Sequence, residues 1–204
     1  MLVRRSLWLR RLLTWHWISS ALALFGMLLF ALTGFTLNHA GQIPADVRVQ
    51  TLEQPVPAPL LERLRATAVE ADAAPLPASA RDWLRDEQGI NLPHRDAEWS
   101  AFEVYLSLPR PGGDAWLSVD LESGVLLYES TDRGWIAYLN DLHKGRDAGP
   151  AWSLFIDAFA LICVLFSLTG LAVLGLHARE RAAVWPVTGL GVLVPVLLAV
   201  LLIH

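Results

Sequence analysis

The chain alternates between stretches with no polar rhythm and stretches with a clear one. Residues 15–38 (WHWISSALALFGMLLFALTGFTLN) hold no charged side chain, and residues 152–176 (WSLFIDAFALICVLFSLTGLAVLGL) hold one, Asp157. Each is about 24 residues, where about 20 suffice to cross the hydrocarbon core of a bilayer. Residues 185–203 (WPVTGLGVLVPVLLAVLLI) form a third apolar run, just long enough at about 19. Pro195 within it removes a backbone hydrogen bond and predicts a kink, which a membrane helix tolerates. Transmembrane helices are therefore predicted at 15–38, 152–176 and 185–203, with 1–14, 39–151 and 177–184 outside the bilayer.

The long middle segment reads as a small soluble domain. Residues 41–58 have little apolar pattern and three prolines, which predicts a linker. Leu60, Leu61, Leu64 and Val69 recur at helical spacing over 58–71. A second short helix is predicted over 79–88, with Ser79 as N-cap and Gly89 as its stop. The period then changes to two. Phe102, Val104, Leu106 and Leu108 share one face of a strand over 101–108, Pro111-Gly112-Gly113 turn the chain, and alternation resumes over 115–121. After a turn at Glu122-Ser123-Gly124 a further strand follows. Residues 132–143 read as an amphipathic helix with Trp135, Ile136 and Leu139 on one face. The predicted fold class is membrane α-helical: three transmembrane helices with a small α+β domain between the first two.

Composition narrows the function classes. Hydrophobic residues make up 54% and charged residues only 18%, below the roughly 25% usual for soluble domains. That excludes disorder and disfavours a plain soluble enzyme. Net charge is −4 with no long basic run, so no nucleic-acid partner is expected. The single cysteine, Cys163, excludes a disulfide framework, a zinc cluster or an iron–sulfur site within one chain. The first apolar run is too long for a cleaved signal and no small-x-small site follows it, so it reads as an anchor. Arg4, Arg5, Arg10 and Arg11 precede it, and Arg179 and Arg181 lie in the second connection. By the positive-inside rule both places are cytoplasmic. Residues 39–151 and the C-terminus at His204 then lie outside, which in a bacterial inner membrane is the periplasm. Trp15, Trp17, Trp135, Trp152 and Trp185 flank the spans as an interfacial belt would.

The soluble segment shows no nucleophile–base pair, phosphate loop or HExxH motif, and His94 reads as an exposed loop histidine. Four of the six histidines instead bracket the first two apolar helices: His16, His39, His143 and His177. Orientation pairs His16 with His177 on the cytoplasmic side and His39 with His143 on the outer side. His16 and His39 lie about 34 Å apart along one helix, so they cannot share an ion or a haem. The spacing permits one site per membrane face. Imidazole is a good axial ligand for haem iron, and bundle helices commonly hold cofactors through facing histidines. Gly26 and Gly34 in the first helix, and Gly170 and Gly175 in the second, would give a large ring room. Both helices carry Leu-Thr-Gly, at 32–34 and 168–170. Two other readings stand beside haem. One is a copper or zinc site at the outer pair, where two histidines leave the coordination incomplete. The other is interfacial histidines with no cofactor, the small residues serving helix packing. Asp157 inside the membrane is a functional flag; its readings are a hydrogen bond to a haem propionate or a ligand histidine, or a place at a watery helix end.

These residues carry a resemblance. WHWISSALALFGMLLFALTGFTLNH resembles the first helix of the PepSY-associated transmembrane family. LNDLHKGRDAGPAWSLFIDAFALICVLFSLTGLAVLGLH is similar to its second, including Leu142-His143 and Leu-Thr-Gly. AWLSVDLESGVLLYE looks like the hairpin of a PepSY domain. The resemblance implies electron transfer, because larger relatives include inner-membrane ferrisiderophore reductases with b-type haems between their helices. It falls most directly on His16 and His143, and less so on His39 and His177. The chain departs from those relatives in having one such unit, three spans and no recognisable flavin or nicotinamide domain. What the resemblance implies is a dihaem b-type cytochrome acting on an extracytoplasmic acceptor such as ferric iron in a chelate. Its donor is separate, and a homodimer completes the four-helix core. PepSY domains elsewhere inhibit peptidases, which supplies the alternative: a cofactor-free, membrane-anchored binding or regulatory module.

Overall fold

The computed structural model describes residues 2–178 and 181–203. Arg179, Glu180 and His204 lie outside the described residues, and with them part of the sequence's case for orientation. The chain divides into two compact units, 1–31 with 154–204 and 32–153.

The first unit is helical. It takes most of α1 (Leu2–Asn38) and α5 (Gly149–His177), and all of α6 (Val184–Leu202). All three helices are long and apolar enough to cross a membrane. Helix α1 starts at Leu2, ahead of the apolar run at 15–38. Within the unit α1 and α5 pack through small residues. Ser19 and Ala23 are buried. The Phe159 ring fills the space beside Gly26 and stacks on Phe30 at 5.1 Å. The α6 helix continues past Pro195 and buries no residue.

The second unit is built on a six-stranded antiparallel sheet. Its strands are β1 (Arg48–Pro55), β2 (Ala73–Pro75), β3 (Asp96–Trp99), β4 (Glu103–Ser107), β5 (Gly113–Asp120) and β6 (Val125–Asp132). The spatial order is β1-β6-β5-β4-β3-β2. Register places Leu117 opposite both Leu106 and Tyr128, so alternate residues of the central strands share one face. Helices α2 (Ala58–Glu70) and α3 (Ala78–Asp86) supply the rest of the core: Leu60, Leu64, Ala80 and Leu84 pack with Val104, Leu106, Leu117 and Leu126. Each fully buried leucine contributes about 1.5–3 kcal/mol. The β5–β6 turn is closed by Asp120, whose Oδ1 accepts the N–H groups of Ser123 (2.7 Å) and Glu122 (2.9 Å). Those bonds, led by Ser123, hold its carboxyl below the ordinary carboxylate range.

Several sequence expectations change. Residues 48–55 are not linker but edge strand β1, paired with β6 along their whole length. Nearly every β1 position is exposed, so no buried face marks it in the sequence. Strands β2 and β3 are additional. Phe102 lies outside β4 and is 72% exposed, and Val69 turns away from the core at 88%. Pro57 and Pro77 stand at the N-caps of α2 and α3, so Ser79 falls within the first turn of α3. Helix α4 (Gly134–Lys144) buries Asn140 and Asp141, not the expected Trp135 face, and Trp135 is 70% exposed.

Candidate functional site

In the first unit His16 meets the C-terminal half of α5. Its Nδ1 lies 3.0 Å from Thr169 Oγ1. The Thr169 hydroxyl donates back to its own helix, to the carbonyls of Leu165 (2.8 Å) and Phe166 (3.0 Å). His16 Nδ1 and Thr169 Oγ1 are within hydrogen-bond distance, and which of them donates follows from the imidazole tautomer. The ring stacks on Phe166 at 5.1 Å and 10°. Its Cε1 lies over Gly170, where a methyl group would stand 3.3 Å away. Thr169 is buried, at 8% exposure.

The second unit repeats the constellation. His143 on α4 places Nδ1 2.7 Å from Thr33 Oγ1 of α1. Its Cε1 lies over Gly34, 3.4 Å from where a side chain would begin. Thr33 is likewise buried. The residues behind both clusters match further than Leu-Thr-Gly. They read Leu29-Phe30-Ala31-Leu32-Thr33-Gly34 and Leu165-Phe166-Ser167-Leu168-Thr169-Gly170. The partners are exchanged: the α1 copy holds the histidine of the chain's second half, and the α5 copy holds the histidine of α1. Sequence reading took the tripeptide as clearance for a ring. It missed the threonine as a histidine's hydrogen-bond partner, although the hexapeptide repeat was there to prompt it.

His39 and His177 are held differently. His39 Nδ1 is 2.9 Å from the Phe35 carbonyl, and His177 Nδ1 is 2.9 Å from the Val173 carbonyl, each one turn back in its own helix. A carbonyl only accepts, so both rings carry hydrogen on Nδ1 and leave Nε2 as the lone-pair nitrogen. His39 also lies against Phe35, with ring centroids 4.4 Å apart. No group of three or more His, Cys, Asp or Glu is placed to hold a metal ion among the described residues.

The other candidate residues resolve as follows. The glycines do not leave open clearance. Phe159 fills the space beside Gly26, His143 that beside Gly34, His16 that beside Gly170, and Trp185 stands 3.8 Å from Gly175. Asp157 is exposed on α5. It is two residues from Phe159, about 200° round the helix from the face that meets α1. His94 is exposed in its loop, 2.9 Å from Arg81 Nη1.

The model of the family described as PepSY_TM-like matches residues 7–204, all three apolar helices and the sheet included. The chain belongs to the PepSY_TM-like family. No curated protein and no solved structure matches it. The residues matched to the PepSY_TM-like family take in both histidine–threonine–glycine clusters.

Proposed function

We propose that this PepSY_TM-like protein is a membrane cytochrome that binds b-type haem at two places and carries electrons across the bilayer. The observation that carries this reading is the duplicated cluster at His16 and His143. At His16 the threonine contact engages Nδ1, so Nε2 on the other side of the ring would be the nitrogen to meet haem iron. Hydrogen bonding at Nδ1 also raises the basicity of a ligand imidazole. Stacking on Phe166 restrains the ring's rotation, and Gly170 lets its edge reach the α5 backbone. The donor chemistry therefore suits an axial ligand. Bound there, haem would supply reversible one-electron chemistry at its iron.

His39 and His177, whose Nδ1 atoms are taken up by backbone carbonyls, are proposed as the complementary ligands. A second copy is proposed to complete a four-helix core around the haems. Asp157 is proposed to act toward that second copy or toward a bound propionate, since an intramembrane carboxylate facing lipid is costly. The same proposal sets the protein in a bacterial inner membrane. The arginine-bearing segments are then cytoplasmic and the sheet unit periplasmic, as the positive-inside rule supports.

The absorption spectrum of the purified full-length protein tests this. A Soret band that sharpens and shifts on reduction is expected. A folded, colourless protein from haem-replete cells would overturn it and favour the cofactor-free binding module.

A further inference from the structure

Residues 140–143 of α4 are four consecutive residues tied to four different places. Asn140 Oδ1 accepts from the Thr36 hydroxyl of α1 at 2.7 Å. Asp141 Oδ2 accepts the Gly112 N–H, in the β4–β5 turn, at 2.9 Å, and faces Arg133 Nη2 at 3.7 Å. The Leu142 carbonyl accepts Trp152 Nε1–H of α5 at 2.8 Å. His143 reaches Thr33 at 2.7 Å. Asn140 and Asp141 are the buried residues of α4, at 7% and 6% exposure, while its aromatic residues face outward. Burying a carboxylate is costly unless it is bonded, so a helix that buries these two is built around their bonds.

The turn is shaped to receive the bond. Gly112 has φ +71°, and a side chain there would meet the Tyr138 backbone at 2.7 Å. Only glycine lets the turn lie this close to α4 while aiming its N–H at Asp141.

We propose that Asn140–His143 is a joint through which the sheet domain sets the His143 imidazole, with Asp141 as the positioning residue. Gly112 fixes Asp141, and two residues of rigid helix transmit that placement to His143. A partner or ligand that displaces the Arg110–Gly113 turn would therefore move the imidazole against Thr33. The consequence for electron transfer rests on the reading of His143 as a haem ligand; the positioning itself does not.

The test uses the full-length protein in lipid nanodiscs with ¹⁵N-labelled histidine, prepared without haem. The His143 Nδ1 signal is identified by its loss in His143→Gln. Asp141→Ala should broaden or shift that signal and leave the His16 signal in place. Asp141→Asn should restore it, because the amide oxygen can still accept from Gly112. An unchanged His143 signal in folded Asp141→Ala would overturn the proposal, and so would an Asp141→Asn signal like that of the alanine variant. If Asp141→Ala does not fold, Asn140→Ala reads the joint from its other end and should broaden the same signal; no change there would equally overturn it. In haem-loaded protein, Asp141→Ala should shift the potential of one haem only. Absence of haem from every variant would sink the cytochrome reading and leave the histidine test standing.

Discussion

The two histidine–threonine–glycine clusters are chemically alike and mechanically different. His16 belongs to a 37-residue apolar helix, and its partners Phe166, Thr169 and Gly170 belong to another. His143 sits at the end of an 11-residue helix whose buried face is polar and bound to the β4–β5 turn. The same local chemistry is thus served by helix packing in one unit and by a soluble scaffold in the other.

The largest expected effect is at the histidines themselves. On the proposed reading, His16→Ala and His143→Ala should each remove one haem and spare the other, since sites in separate clusters without shared partners behave additively. Loss of both haems on either single substitution, read by pyridine haemochrome, would break the comparison.

Next comes the scaffold. Leu117 is fully buried at the centre of the sheet, and Leu117→Ala should cost the second unit about 2–5 kcal/mol. Proteolysis or hydrogen exchange should show the sheet and the His143 cluster loosening together while the His16 cluster stays protected.

How much of this the sequence shows depends on what leaves a periodic mark. The three apolar helices are legible because length and composition alone define them. Strands β4 to β6 are legible because one face is buried. Strand β1 is an edge with almost no buried side, and β2 is only 3 residues long, so neither imprints a period. The buried face of α4 is polar, and a reading based on apolar residues chose the wrong side. The histidines were legible from their places at the helix ends. Their partners were not, because Thr169 lies 153 residues from His16 and Thr33 lies 110 from His143.

Smaller effects sharpen the picture. Thr33→Val and Thr169→Val each remove one buried bond to a histidine and should cost about 0.6–2 kcal/mol. The tautomer signal should be lost at the matching histidine alone. Equal changes at both histidines in either variant would show that the clusters are not independent.

The smallest effect belongs to Asp120. Its carboxyl is held below its ordinary range by the Ser123 and Glu122 bonds. A group with a depressed folded value stabilises the fold above its unfolded value and loses that contribution as pH falls through the folded one. Acid unfolding of the sheet unit below about pH 4 should therefore be shallower in Asp120→Asn. Circular dichroism along a pH series measures it, and identical acid profiles would count against the turn's role.

The central claim is that two like clusters hold two haems, one in each unit. Haem content per chain in the His16→Ala, His143→Ala double variant, against wild type and each single variant, tests it most directly. The account predicts two haems, one, one and none. Full haem content in the folded double variant would contradict it.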